Sequence, residues 1–166
     1  YTSFSYLKEL PADVVKIEPL DGDPFRGYAY LFGGEANPPF ELDNRGKRSI
    51  AVDLRTPEGQ ELLTDVICAP GPDAGVFLTN FPPRGWMSYE RLSARRPDLV
   101  MAVLAGNHDG SSAVDYTVNC AVGYPDATGP VDRTEPVNHV LPAWDLIAGQ
   151  CLVAAVLGAA VVSVDA

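Results

Sequence analysis

Basic residues are scarce in this sequence of 166 residues, and the shortage excludes several kinds of partner. Twelve lysines and arginines stand against 22 aspartates and glutamates, so the formal net charge is −10 at pH 7. Nucleic acids and anionic membrane surfaces are bound by clusters of lysine and arginine. We therefore expect neither as a partner, whereas a few local cations suffice to hold a small phosphorylated ligand.

Cysteine is also rare, which argues against a disulfide-stabilised secreted fold. The three cysteines, Cys68, Cys120 and Cys151, are odd in number and widely spaced, with no CxxC pair. This usage is typical of reduced thiols in a cytoplasmic protein. The start of the printed sequence has no basic segment followed by an apolar run, as a secretory signal would have. We expect a cytoplasmic protein.

Several motifs of nucleotide-binding and hydrolytic enzymes are missing. The sequence contains no GxGxxG, no GxxxxGK[ST] and no GxSxG, which disfavours an ordinary dinucleotide site, a P-loop and a serine-hydrolase elbow. Its two histidines, His108 and His139, are far apart and share no ligand spacing with cysteines or acids. We therefore predict no metal site.

Short apolar runs that alternate with helix-like segments predict an α/β fold. Near-continuous apolar strands separated by helices favour a Rossmann-like parallel sheet with helices on both faces. Thr56 is a good N-cap for the first helix, and Pro57 follows it where proline is tolerated. Gln60 or Glu61 is placed to support the same turn. The predicted strands are residues 12–19, 48–55, 74–81 and 98–106, and the predicted helices are 56–67 and 88–97, the latter capped by Ser88.

The rest of the chain has a different composition. After the βα core at 12–106, residues 106–142 are rich in glycine, proline, asparagine and aspartate, which predicts a loop region with one short helix at about 115–120. A final helix begins near Asp145, and its apolar run raises the question of a membrane span. The run is rich in alanine and glycine and includes Gln150, so we expect a helix buried on all sides of a protein core.

Polar side chains follow the predicted strands, where ligands bind in open α/β sheets. The segments that follow them are "DLRTPEG" (53–59), "TNFPPRGW" (79–86) and "AGNHDGSS" (105–112). Arg55, Asn80 and Arg84 are placed to hold a phosphate or pyrophosphate. From spacing alone, both arginines are more often solvated surface charges, and the two interpretations stay open.

Two acids stand out, Asp115 in "AVDYTVNCAVGYP" and Asp145 in "LPAWDLIAG". From residue chemistry alone, each is best explained as a helix cap. A cap and a chemical role are compatible, because the positive end of a helix keeps a carboxylate ionised and stabilises anions beside it. Such a position suits a nucleophilic aspartate in a covalent mechanism.

Three long segments carry a resemblance to a known family. "ADVVKIEPLDGDPFR", "FELDNRGKRSIAVDLRTPEGQELL" and "GVFLTNFPPRGWMSYERLSARRPDLVMAVLAG" resemble the family III CoA-transferases, which include the α-methylacyl-CoA racemases. The resemblance runs, with interruptions, from about residue 11 to about residue 160. It implies a Rossmann-like large domain, an acyl-CoA substrate, no metal, and homodimers whose two chains are interlocked.

The resemblance also implies which residues hold CoA. Val52 matches an apolar contact to the adenine, and Arg55 matches a basic position near the adenosine and 3′-phosphate. Asn80 and Phe81 match the turn beside the pyrophosphate. Arg84 matches a phosphate-binding arginine, in a loop that is shorter here than in the family.

The family's nucleophilic aspartate precedes a helix of small residues, and "DLIAGQCLVAAVLGAA" places that position at Asp145. The implied reaction transfers CoA between carboxylates through an aspartyl-acyl anhydride and an aspartyl-CoA thioester. Racemases carry a histidine directly before the acid at position 115. Val114 stands there in this sequence, which disfavours a racemase because one acid–base partner is missing.

Within the family, "GNHDGSSAVDYTVNCAVGYPDATGP" and "PVNHVLPAWD" are most similar to the branch that isomerises 2-methylfumaryl-CoA (mesaconyl-CoA). That branch moves CoA between the C1 and C4 carboxyls of one dicarboxylic acid. Asn138 and His139, with Asp115, are then candidates to orient the substrate, and hydrogen bonding within the loop explains the first two equally well.

Two alternative functions stay open. The chain could transfer CoA between two different acids, or it could be a truncated remnant that binds CoA without catalysis. Its first residues resemble the tail of a helix that enters a strand, and the family's opening strand and closing small domain are missing. We therefore expect residues 1–166 to be one partial large domain of a longer protein.

Overall fold

The computed structural model describes residues 12–34, 37–72 and 74–164. The helix tail predicted before residue 12 lies outside these ranges. Four strands, all shorter than predicted, are β1 Val15–Glu18, β2 Arg48–Ala51, β3 Val76–Thr79 and β4 Val100–Val103. The α-helices are α1 Pro38–Asn44, α2 Pro57–Ile67, α3 Tyr89–Arg95, α4 Asp115–Ala121, α5 Tyr124–Ala127 and α6 Ala143–Val164, and 3₁₀ helices span Pro24–Phe32 and Gly85–Met87.

The strands pair in parallel, which confirms the predicted strand direction. β1 pairs with β2, so that Val15 lies opposite Arg48, and β3 pairs with β4, so that Val76 lies opposite Val100. Within the described ranges these are two separate pairs and not one continuous sheet. The predicted single sheet differs from these two pairs because an apolar run indicates that a strand is buried but does not indicate which strand lies beside it.

The best-packed part of the core joins α2 and α3 to the second pair of strands. Leu63 and Ile67 of α2 contact Leu92 of α3 and Leu99, which immediately precedes β4, and all four are buried. Leu92 has no exposed surface. Burial of one such side chain contributes about 1.5–3 kcal/mol to folding, so this cluster holds the segments after β2 and β3 in place.

The start of α2 follows the sequence prediction. The Thr56 hydroxyl accepts a hydrogen bond from the Gly59 amide at 3.1 Å, and Pro57 occupies the first helical position. The Gln60 side chain donates to the carbonyl oxygen of Leu54 at 2.9 Å and supports the turn. Glu61 instead pairs with Arg95 of α3. Ser88 precedes α3 at the predicted cap position, but its side chain makes no capping hydrogen bond.

The last helix corrects two expectations. It begins at Ala143, two residues earlier than predicted, so Asp145 is its third residue and not its cap. Residues Ala143–Val162 are long and apolar enough to cross a membrane by length and composition, yet only 11% of that stretch is buried by the described chain. The expectation of a helix buried on all sides was therefore wrong for this chain.

The exposure of α6 follows from the size of its neighbours. Its 22 residues span about 33 Å, whereas the four-residue strand β4 against which it packs spans about 13 Å. Gly149 and Val156 are buried against the domain. Apolar side chains elsewhere on the helix remain exposed, namely Ile147, Leu157, Val161 and Val162.

Candidate active site

Asp115 joins the start of α4 to the start of α6. It is the first residue of α4 and is 6% exposed. Its Oδ2 accepts a hydrogen bond from the backbone amide of Trp144 at 2.9 Å. Trp144 is the second residue of α6, where the amide has no partner within its own helix. Asp115 therefore caps a helix, as its chemistry indicated, but the helix is α6 and not its own.

Asn119 lies at the centre of a buried polar group. It has no exposed surface, and its Nδ2 donates to Asp115 Oδ1 and to Asn138 Oδ1, both at 3.1 Å. Its Oδ1 contacts Trp144 Nε1 at 2.6 Å and His139 Nε2 at 3.1 Å. We call these five residues the Asn119 cluster. It brings together all three side chains that the sequence predicted to orient a substrate.

Tyr124 packs the aromatic members of the cluster together. Its ring lies 5.6 Å from that of Trp144 in a stacked arrangement, with an angle of 26° between the planes. The His139 ring lies 5.9 Å from the tyrosine ring, with an angle of 54° between the planes. Aromatic pairs at these distances add a modest attraction to the area that they bury. Helix α5 thus fixes the orientation of both rings.

Asp145 directly follows Trp144 in the first turn of α6. The residue is exposed, yet partial burial of its carboxyl raises the pKa of Asp145, and the nearby charge of Asp115 raises it further. This direction is opposite to that expected from the helix end alone, because lost hydration and a like charge outweigh the dipole. A more basic carboxylate is a stronger nucleophile once it is ionised.

The predicted CoA-binding residues follow β2 and β3. Val52 is 6% exposed, so the chain itself covers most of this side chain. The Arg55 side chain is 87% exposed and pairs with Asp53, whose carboxyl pKa it lowers. Asn80 and Arg84 are exposed. All contacts of these side chains with CoA stay predictions.

Phe81 also lies after β3, and its side chain is 65% exposed. Its backbone amide donates to the Thr79 hydroxyl at 3.0 Å, which fixes the turn. Among the described residues, no hydrogen bond or ion pair connects these two loops to the Asn119 cluster. The structure therefore brings together the predicted substrate-orienting residues, whereas it joins the predicted CoA-binding residues only to their own loops.

Sequence reasoning missed Asn119 and the role of Trp144. One local signal was present, because Asp115 and Asn119 are four residues apart and therefore share a helix face. A buried face that carries two polar side chains needs polar partners from elsewhere. Every buried side-chain polar atom in the described part of the chain has a hydrogen-bond partner.

The donors of the cluster suit oxygen ligands better than a metal. In the described ranges, no group of three or more histidines, cysteines and acids lies close enough to hold a metal ion. The cluster instead combines indole and imidazole groups, a second amide and the Asp115 carboxylate around the Asn119 amide, with another carboxylate, Asp145, in the first turn of α6.

The fold and site define an α/β domain with parallel strands and a carboxylate at the start of a long helix. A solved structure of this kind, a CAIB/BAIF family protein from Brucella suis, superposes with a TM-score of 0.85 and 29% identity, over 99% of this chain and 46% of that one. The model of CoA-transferase family III matches residues 2–165. The chain belongs to CoA-transferase family III.

Two curated relatives are similar to this chain over most of its length. The chain is 49% identical over 154 residues to the 2-methylfumaryl-CoA isomerase of Chloroflexus aurantiacus, covering 92% of this chain and 38% of that one. It is 30% identical over 161 residues to the cinnamoyl-CoA:phenyllactate CoA-transferase of Clostridium sporogenes, covering 89% of this chain and 38% of that one. The chain thus spans 38% of the length of each relative.

Proposed function

We propose that this protein isomerises 2-methylfumaryl-CoA by moving CoA between the C1 and C4 carboxyls of the same acid. The observation that carries the proposal is the 49% identity to a 2-methylfumaryl-CoA isomerase across 92% of the chain. The position of Asp145 at the start of α6, beside the Asn119 cluster, supports it independently.

In the proposed reaction, Asp145 is the catalytic residue. Its carboxylate attacks the thioester carbonyl and expels the CoA thiolate, which leaves a mixed anhydride between the aspartate and the acyl group. The thiolate then attacks the aspartyl carbonyl, which forms aspartyl-CoA and releases the dicarboxylate. The other carboxylate of that acid attacks the carbonyl of aspartyl-CoA and expels the CoA thiolate, which leaves a second mixed anhydride. The thiolate then attacks the acyl carbonyl of this anhydride, which forms the new thioester and frees Asp145.

The surroundings of Asp145 suit this sequence of attacks. Asp115 holds the Trp144 amide at 2.9 Å and so fixes the first turn of α6. Partial desolvation and the like charge of Asp115 raise the pKa of Asp145 and make its carboxylate more nucleophilic. Because both carboxyls of the substrate belong to one molecule, the second attack needs no further encounter.

CoA is the substrate carrier and no metal enters the proposed reaction. Val52, Arg55, Asn80, Phe81 and Arg84 are its proposed contacts. Their positions after β2 and β3 support this assignment, because ligands of α/β sheets bind at the carboxyl ends of strands. Arg55 would exchange its partner Asp53 for a phosphate group.

A second candidate is CoA transfer between two different acids. The similarity to the Clostridium sporogenes transferase favours it, since the name of that relative specifies a separate donor and acceptor. Both candidates use the same nucleophile, and they differ in whether the released acid is also the acceptor. A protein that binds CoA without exchange remains the third outcome.

Incubation of the enzyme with 2-methylfumaryl-C1-CoA, without an added acceptor, separates these candidates. Appearance of the C4 isomer supports isomerisation, and turnover only after addition of a second acid supports intermolecular transfer. Tight CoA binding with no exchange under either condition would leave a binding protein. Hydroxylamine or borohydride trapping, followed by mass spectrometry, identifies the acylated residue, and modification of any residue other than Asp145 contradicts the mechanism.

The proposal extends to the protein's environment. Its three free cysteines support a cytoplasmic location. A homodimer is consistent with the exposed apolar side chains of α6, among them Ile147 and Val161. Fractionation of cells and light scattering test the two statements, and a monomer at micromolar concentration would contradict the second.

A further inference from the structure

Asn119 contacts more of the candidate site than any residue that the sequence pointed to. It is fully buried and lies between the acid Asp115, the loop residues Asn138 and His139, and the indole of Trp144. Nothing in the proposed mechanism requires an amide at this position. Its hydrogen bonds nevertheless determine what the neighbouring side chains can offer to a ligand.

The orientation of the Asn119 amide is fixed from two sides. Trp144 Nε1 is only a donor, so the Asn119 atom 2.6 Å away must be the oxygen. On the other side, the Asp115 carboxylate accepts, and the Asn119 atom 3.1 Å from its Oδ1 must be the NH₂ group. The two requirements agree and exclude a flipped amide.

This orientation determines the polarity of Asn138. The Asn119 NH₂ group also contacts Asn138 at 3.1 Å, and therefore requires the Asn138 oxygen on that side. The Asn138 Nδ2 group is consequently turned away from the buried amide, on a residue that is exposed. Within the described ranges this NH₂ group makes no hydrogen bond to protein, so it is a donor available to a ligand.

The same amide determines the tautomer of His139. Asn119 Oδ1 lies 3.1 Å from His139 Nε2, so that nitrogen carries a hydrogen. A further proton on the ring can then reside only on Nδ1. This second nitrogen has no hydrogen-bond partner in the described part of the chain, and on protonation it becomes another donor.

We propose that Asn119 is a positioning residue that presents Asn138 Nδ2 and protonated His139 Nδ1 as paired donors to the free carboxylate of the substrate. A carboxylate accepts hydrogen bonds at both of its oxygens, so it can accept one from each of these two residues. His139 lies six residues before Asp145, and Asp145 belongs to the helix that the same cluster caps. The substrate role rests on the proposed function, whereas the hydrogen-bond assignment does not.

The first test uses the unmodified protein. Long-range ¹H–¹⁵N spectra of the imidazole rings should show His139 with a hydrogen on Nε2 whose exchange with water is slow. His108, the other histidine, is exposed and serves as the internal reference for an unrestrained ring. A neutral His139 with its hydrogen on Nδ1, or one that averages like His108, would overturn the assignment.

The second test compares Asn119→Ala with Asn107→Ala, a change at an exposed loop residue that bonds to Ser111. Asn119→Ala should release the His139 tautomer and expose the Trp144 indole hydrogen to exchange, and Asn107→Ala should do neither. The KM for 2-methylfumaryl-CoA should rise about tenfold with a smaller change in kcat. The dissociation constant of an acyl-CoA that lacks a second carboxylate, measured by calorimetric titration, should stay within about twofold.

The outcomes separate this proposal from the proposed function. If the tautomer is confirmed and the wild-type protein transfers no CoA, the function is wrong and the structural assignment stands. Equal weakening of the binding of both thioesters in Asn119→Ala, measured by calorimetric titration, would contradict the carboxylate role. Should Asn119→Ala fail to fold, the spectrum of the unmodified protein still decides the assignment of the tautomer.

Discussion

Asp115 Oδ2 accepts a hydrogen bond from the backbone amide of Trp144 at 2.9 Å, although the two residues are 29 positions apart. The bond connects the first residue of α4 to the second residue of α6. The bond holds the backbone of Trp144 in place, and the residue after Trp144 is the proposed nucleophile. The geometry of Asp145 therefore depends on a side chain from another helix.

Replacement of Asp115 tests this connection. Asp115→Ala removes the acceptor of the Trp144 amide and one acceptor of the buried Asn119 amide. Loss of a cap and of a buried partner should lower the free energy of unfolding by about 2–3 kcal/mol. Urea denaturation measures the effect. Asp126→Ala, at an exposed acid in the first turn of α5, is the control and should change stability by about 0.5 kcal/mol or less.

Replacement of the proposed nucleophile should separate activity from stability. Asp145→Asn should reduce CoA transfer by at least about 10⁴-fold, as loss of a covalent nucleophile does in other enzymes. Because the pKa of Asp145 is raised in the folded protein, the contribution of Asp145 to stability is fully present below its unfolded pKa and is lost as the pH rises through its folded pKa.

In the Asp145→Asn protein, residue 145 carries no charge at any pH, so this loss of stability with rising pH should disappear. At pH 7 the Asp145→Asn protein should then be at least as stable as the wild type. Thermal unfolding between pH 3 and pH 8 tests the expectation, with Asp126→Asn as the matched substitution. A variant that is both inactive and clearly less stable at pH 7 would mean that Asp145 has a structural role.

Much of the βα core could be predicted from sequence because its signals are local. Thr56 followed by Pro57 marks the start of α2, and the alternating apolar runs mark the strands. The short helix predicted at about 115–120 is present as α4, Asp115–Ala121, whereas α5, α1 and the first 3₁₀ helix were not predicted. These elements are short and contain several prolines, so composition indicates loops in their place.

The candidate site could be predicted only in part. Asp115, Asn138 and His139 were each singled out, but nothing local indicated that they share one buried amide. Asn119 acts through contacts that are up to 25 positions distant. Periodicity describes the neighbours of a residue on its own helix and cannot report which loop or helix packs there.

An acid-dependent loss of stability should originate at Glu18. This buried carboxylate accepts from Arg26, the Asp23 amide and Ser49, and above all the Arg26 bond lowers the pKa of Glu18 to about 2. A lowered folded pKa gives stability that is present above the unfolded pKa and lost as the pH falls toward about 2.

Glu18→Gln should remove this pH dependence and lower the free energy of unfolding at neutral pH by about 2 kcal/mol. This value is smaller than the pKa shift alone would give, because half of the Arg26 side chain is exposed and solvent screens the ion pair. The free energy of unfolding from pH 2 to pH 7 measures both effects. Glu135→Gln, in an exposed loop, should leave the profile unchanged. Parallel acid profiles for wild type and Glu18→Gln would show that another group controls acid stability.

Substitution by alanine should change the stability of the protein in opposite directions at two glycines that lie in helices. A Cβ at Gly59 would overlap the backbone carbonyl of Asp53, whereas a Cβ at Gly158 in α6 would meet nothing within 4 Å. Gly59→Ala should therefore destabilise the protein by about 1–3 kcal/mol, because the turn at 53–56 has to move. Gly158→Ala should stabilise it by about 0.5–1 kcal/mol, through the lower backbone entropy of the unfolded chain.

The same pair also tests the proposed CoA loop. Arg55 lies within the turn that Gly59→Ala displaces, so this variant should bind CoA more weakly, while Gly158→Ala binds it normally. Urea denaturation and calorimetric titration with CoA measure the two properties on the same samples. Normal CoA affinity in a destabilised Gly59→Ala protein would mean that CoA does not contact this turn, and Arg55 would then be the surface charge that its spacing alone suggested.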